Sequence, residues 1–195
     1  MSTQFSENGN GSISRRSVIK AAAWAAPVVA VAVAAPLASA STGPQPVGPG
    51  SNAELDGGVS IGTYRGGNPN EVRVNQTAAG FGFYIFDSNG DEYPDGTYQA
   101  STPTITVSWS ASASYTPVLQ NLRGWTQVGG STAAGTSGSI SFTYAGPFLN
   151  GATNRIPAPY VVLRPTTGNS LPTASVTARA TAQYFDAISQ TIDVI

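Results

Sequence analysis

The sequence predicts an all-β fold, an antiparallel β-sandwich of about nine strands behind a cleaved signal helix. Three observations carry that expectation. Apolar and polar residues alternate with a period of two over much of residues 52–195. Breakers such as Gly129-Gly130, Gly146-Pro147 and Arg164-Pro165 recur about every ten residues, and no window sustains a helical period. Short strands at that spacing are those of an immunoglobulin-like sandwich.

Residues 1–40 read apart from the domain. Ser14-Arg15-Arg16-Ser17-Val18-Ile19-Lys20, with Arg15, Arg16 and Lys20 as the basic start, precedes an apolar stretch from Ala21 to Ala35. Ala38-Ser39-Ala40 then offers the small residues at Ala38 and Ala40 that fit a peptidase cleft. This is the pattern of a twin-arginine (Tat) signal peptide, with the Tat translocase as partner and cleavage before Ser41. The 15 apolar residues are too few for a membrane span of roughly 20. No stable span is expected after cleavage, and a secreted or envelope-associated location is.

Residues 41–51, STGPQPVGPGS, cannot build a helix and read as a disordered spacer. Residues 52–195 then form one domain. The clearest strand is Thr104 to Ser114, with Ile105, Val107, Trp109, Ala111 and Ala113 on one face and Ser or Thr on the other. Ser139 to Tyr144 repeats the pattern with Ile140, Phe142 and Tyr144 inward, and Thr173 to Phe185 with Ala174, Val176, Ala178, Ala180, Ala182 and Tyr184 inward. Phe81 to Phe86 is apolar on both faces, as a covered central strand would be. The remaining strands are Val59 to Arg65, Glu71 to Thr77, Leu122 to Val128, Tyr160 to Arg164 and Ile188 to Val194.

Composition removes most chemistry. The 155 residues behind the leader carry a net charge of −3, no Lys, no His and no Cys. Nucleic acid is disfavoured as a partner, because displacing its counterions needs clustered cations. Thiolate and histidine ligands are missing, so transition-metal cofactors are not expected, nor is a nucleophile–histidine pair. No cofactor and no catalytic residue is assigned, and the chain reads as a non-enzyme.

Three constellations remain. Asp87, Asn89, Asp91 and Asp95 crowd one segment and are weak calcium candidates. An EF-hand is excluded, because Glu92 stands where Gly is needed and Tyr98 where the closing Glu is needed. Two turns, at Asn89-Gly90 and Pro94-Asp95-Gly96, explain the same residues more simply. A carboxylate-based hydrolase using this cluster with Glu54, Asp56 and Glu71 is the least favoured reading. Tyr115, Trp125 and Tyr160 are the candidates for stacking on a sugar, although a place in the core explains each more simply. Thr102, Thr104 and Thr106 set hydroxyls in a row on one strand face, which is ordinary sheet surface. Leu171-Pro172-Thr173-Ala174-Ser175 begins like a sortase signal but lacks its Thr-Gly.

The leader from Arg15-Arg16 through Lys20, Trp24 and Pro27 resembles those of small secreted actinobacterial proteins. Gly124-Trp125-Thr126, Phe142-Thr143-Tyr144, Gly146-Pro147-Phe148-Leu149-Asn150-Gly151-Ala152 and Ala174-Ser175-Val176-Thr177-Ala178 resemble segments of immunoglobulin-like bacterial surface domains of uncharacterised role. That resemblance implies an extracellular sandwich with a part in adhesion or envelope structure, in contact with an envelope glycan or another surface protein. It brings no catalytic residues. An exported, non-catalytic structural or interaction module is therefore the first functional expectation, and a carbohydrate-binding module the second.

Overall fold

The computed structural model describes residues 43–195 apart from Gly58, Asn68, Ala78 and Ala79. The leader, the expected cleavage site and residues 41 and 42 lie outside the described residues.

The alternation produces an all-β architecture of fourteen strands. The largest sheet is organised by one long strand, β7 (Thr104–Asn121). On one side β7 pairs first with β13 (Ala174–Thr181) and then with β12 (Tyr160–Pro165), both antiparallel. Beyond these lie β14 (Ile188–Val194), β4 (Glu71–Val74) and β3 (Ile61–Tyr64). On the other side β7 pairs with β9 (Gly135–Tyr144), and β9 with β8 (Trp125–Gly130). Two three-stranded sheets form the opposing layer. One has β5 (Gly80–Ile85) between β2 (Ala53–Gly57) and β11 (Ile156–Pro157). The other has β6 (Tyr98–Ala100) between β1 (Gln45–Pro46) and β10 (Phe148–Leu149).

One core joins the layers. Phe81 and Phe83 of β5 stack on Phe148 of β10, with ring centroids 5.2 and 4.8 Å apart, and Phe81 lies 6.2 Å from Trp125 of β8. Edge-to-face and offset pairs at these separations add to what burial alone contributes. Ile105, Val107 and Trp109 of β7 and Val176, Ala178 and Ala180 of β13 close the core from the large sheet.

The predicted sandwich is thus present, and four details differ. The nine expected strands become fourteen among the described residues, because β1, β6, β10 and β11 are only two or three residues long and the single alternation Ala53-Glu54-Leu55-Asp56 of β2 is not counted among the nine. Residues 41–51 are not wholly a spacer: Gln45 and Pro46 pair in parallel with Tyr98 and Gln99, and Val47 is buried in the core. The strand predicted to end at Ser114 runs on to Asn121 through Pro117, which lies past Tyr115, where β9 stops pairing. A proline missing its N–H is tolerated at such a one-sided stretch. The alternation from Thr173 ends at Thr181, so Tyr184 does not face inward.

The outer face of the large sheet extends the hydroxyl row seen in the sequence. Register aligns Thr191, Thr177, Ser108 and Ser139 across β14, β13, β7 and β9. Of the twelve residues in the three complete rows, ten are Ser or Thr, the exceptions being Arg179 and Asp193. Hydroxyls bond across it at Thr106–Ser141 (2.9 Å) and Thr177–Thr191 (2.8 Å).

Candidate functional site

The charged residues come first, since any acid–base chemistry would rest on them. Glu71 opens β4 on the outer face of the sheet. Its carboxylate accepts from Arg73 Nε at 2.7 Å and from Arg164 Nε at 3.1 Å. Burial pushes its pKa up, but hydrogen bonds and charge from the two arginines outweigh that and hold it below the usual 4.5. Arg73 in turn lies 3.7 Å above the centre of the Tyr64 ring. On the opposite layer Gly80 and Gly82 leave a bare strip of β5, and the Arg155 side chain lies along it. A Cβ on Gly80 would stand 2.5 Å from Arg155 Cβ. Arg155 ends in a salt bridge to Asp56 and a 3.1 Å hydrogen bond to the Tyr84 hydroxyl.

The acidic segment is likewise occupied by structure. Asp87 Oδ1 accepts the amides of Asn89 (2.8 Å) and Asp91 (3.0 Å), while the Asp87 amide donates to Asp91 O, so the segment is a hairpin turn with Gly90 at φ 87. Asp95 Oδ2 accepts the amide of Thr153 (2.9 Å) and its hydroxyl (2.5 Å) instead. Amides of Asp91 and Asn89 lower the pKa of Asp87, and Thr153 lowers that of Asp95. The four proposed calcium ligands do not converge, and among the described residues no group of three acidic side chains could hold a metal ion. These hydrogen bonds are those of the two turns that the sequence favours over a calcium loop. Asn150 locks the second turn: it is fully buried, its Oδ1 accepts the Tyr98 amide, and its Nδ2 donates to Tyr93 O and Pro94 O.

The aromatic candidates are also corrected. Tyr115 is buried, and its hydroxyl donates to Pro172 O at 2.9 Å. Trp125 is buried against Phe81 and Tyr144, and its indole donates to Pro157 O at 2.8 Å. Neither can meet a sugar, because apolar rings whose single polar atom is satisfied belong to the core. Tyr160 is half-buried on the outer face, with the Arg123 guanidinium 5.9 Å from its ring centre. Arg123 is itself pinned, donating to Asn75 O, Gln76 O, Thr77 O and Ala158 O.

Two shallow openings of similar size lie among the described residues, one of about 350 Å³ beside Ala111, Ala174 and Val194 and one, a groove, of about 390 Å³. Pro44, Pro46 and Val47 around β1, Gln99 and Ser101 around β6, and Gln183 with Tyr184 after β13 line the groove. The chain leaves β13 in a turn closed by the Phe185 amide on Ala182 O, and the Gln183 amide donates to Ser101 Oγ at 3.1 Å. That turn sends Phe185 inward, 5.1 Å from Phe83, and Tyr184 outward at φ 71 with 47% of its surface exposed. Sequence reasoning placed Tyr184 inside by extending the alternation. The adjacent pair Tyr184-Phe185 was the signal against it, since neighbouring strand residues cannot both face one core.

The molecule is therefore an all-β sandwich in which the carboxylates of Asp56, Glu71, Asp87 and Asp95 serve the fold and the groove at Tyr184 is uncharged. Compared with known families and curated proteins, the chain matches no family model and no curated sequence.

Proposed function

We propose that the chain is exported through the twin-arginine route and works as a non-catalytic module of the cell envelope or secreted space, by surface contact. The observation that carries this reading is the outer face of the large sheet, where Ser and Thr fill ten of twelve aligned positions. Such a face offers a wide field of hydrogen-bonding groups with almost no charge, which suits an envelope glycan or another surface protein. The net charge of −3 behind the leader disfavours nucleic acid. Support for a non-catalytic role comes from the commitment of Asp56, Glu71, Asp87 and Asp95 to arginine, amide and hydroxyl partners.

Export is tested with the Arg15→Lys, Arg16→Lys double variant in the producing cell. The native chain is expected outside the cytoplasm, shortened to begin at Ser41, and the variant is expected to stay inside. Equal export of both would show that the leader had been misread. The module reading is tested by retention of the full chain on isolated cell-wall material, and passage straight through the wall fraction would count against it.

A further inference from the structure

We infer that the groove at Tyr184 is a binding site for one or two neutral pyranose units of a glycan. This rests on the reading of the domain as an interaction module and names what it would contact.

Three features of the groove point to that ligand. The first is the ring of Tyr184, which is open to solvent while every phenylalanine of the aromatic core is covered. A flat ring presents its π-face to the C–H groups of a sugar, the contact for which the buried Tyr115 and Trp125 are unavailable. The second is the pair of primary amides. Gln99 and Gln183 are both exposed and line the groove, and their side chains have no hydrogen-bond partner among the described residues. An amide both donates and accepts, which matches the hydroxyl of a sugar. The third is charge: Pro44, Pro46, Val47, Gln99, Ala100, Ser101, Gln183 and Tyr184 carry none. A charged ligand would lose its hydration there without gaining a partner, whereas a neutral polyol exchanges hydrogen bonds one for one. A volume of about 390 Å³ fits a small ring compound and is at the low end for ligand sites.

The backbone adds an independent argument. Tyr184 sits at φ 71, in the left-handed region that costs a bulky residue energy and a glycine none. The turn Tyr184 makes serves to bury Phe185, and a glycine would make that turn without the ring. Strain of this kind collects where a side chain must be presented.

That same feature supplies the test. Tyr184→Gly removes the ring while relieving the backbone, so its melting temperature should equal or exceed that of the native chain. Saturation-transfer NMR on the full chain, with cellotetraose, maltotetraose, mannotetraose and N-acetylchitotetraose as probes, should show at least one binding. In Tyr184→Gly that binding should fall by roughly tenfold, the loss of one stacking contact, and in Tyr184→Phe it should persist. Gln183→Ala should weaken it as well. No transfer to any of the four sugars, or equal binding by Tyr184→Gly, overturns the site. Displacement of the sugar by a polyproline peptide that itself binds more tightly would also overturn it, assigning the groove to a Pro-rich segment. If the native chain is retained on wall material but no tetraose binds it, or Tyr184→Gly binds the tetraose equally well, the groove is wrong and the module reading stands. If tetraose binding depends on Tyr184 but nothing is retained on the wall, the groove stands and the envelope reading fails.

Discussion

Asn150 ties a turn to a strand with a single buried side chain. Its Oδ1 accepts the Tyr98 amide and its Nδ2 donates to the Tyr93 carbonyl and to that of Pro94, which Thr97 also reaches. Asn150→Ala leaves the Tyr98 amide and the Tyr93 carbonyl without this side-chain partner, and each such group costs about 1–3 kcal/mol, so a loss of roughly 2–4 kcal/mol is expected in urea unfolding. Gly151 beside it is equally constrained, at φ 102 with Asp95 where a Cβ would stand. Nothing in the sequence distinguished Asn150 from any loop asparagine, because its partners are some fifty residues away. Asp87 and Asp95 were legible as turn residues, since Asx turns and Gly-containing turns are local chemistry. The two tryptophan and tyrosine sugar candidates were not: alternation shows which face a residue takes, and burial depends on what covers that face.

At the scale of elements, legibility followed length. The long strands β7, β9, β13 and β14 announced themselves through their period, while β1, β6 and β10 exist only because they pair with each other. For β1 the sequence pointed away from structure, with prolines at 44, 46 and 49. Proline is compatible with a parallel edge position when its neighbours supply the amides, and here Gln45 N donates to Thr97 O and Val47 N to Gln99 O. Val47 anchors this strand in the core. Val47→Ala should cost about 1–2 kcal/mol, the share of burial carried by the two lost methyl groups. Limited proteolysis ahead of residue 52 should quicken in parallel. A stable Val47→Ala protein with unchanged cleavage would mean that β1 is dispensable.

The molecule as a whole has a pH response with a definite sign. Glu71, Asp87 and Asp95 all have pKa values lowered in the folded state. Their unfolded counterparts therefore take up protons first as pH falls, and protonation favours unfolding. The stability they supply is complete above the ordinary values of 4.5 and 3.8 and is lost as pH drops through the lower folded values. Thermal melts should thus be flat from neutral pH to about pH 5 and decline below it. Glu71→Gln should lower the neutral plateau and shallow the decline, because it removes the charge shared by Arg73 and Arg164 and turns one of their two accepting oxygens into a donor. Calcium or a chelator should leave the melt where it is, since Asp87 and Asp95 are already spent on amides and a hydroxyl. The class of fold was legible from periodicity and turn spacing. The hydroxyl field and the Tyr184 groove were not, for both are assembled from strands far apart in the chain.

The pairing of β1 with β6 has a mechanical side. The strand at Gln45 and Pro46 is held to β6 over only two residue pairs, whereas β14 at the other end is zipped to β13 over seven. A pull applied at the amino-terminal end is borne by the weaker fastening. That fastening is also one wall of the groove, with Pro44 and Pro46 on the pulled strand and Gln99 on the strand it leaves. Fraying of β1 would part the two sides of the groove before it disturbed the core.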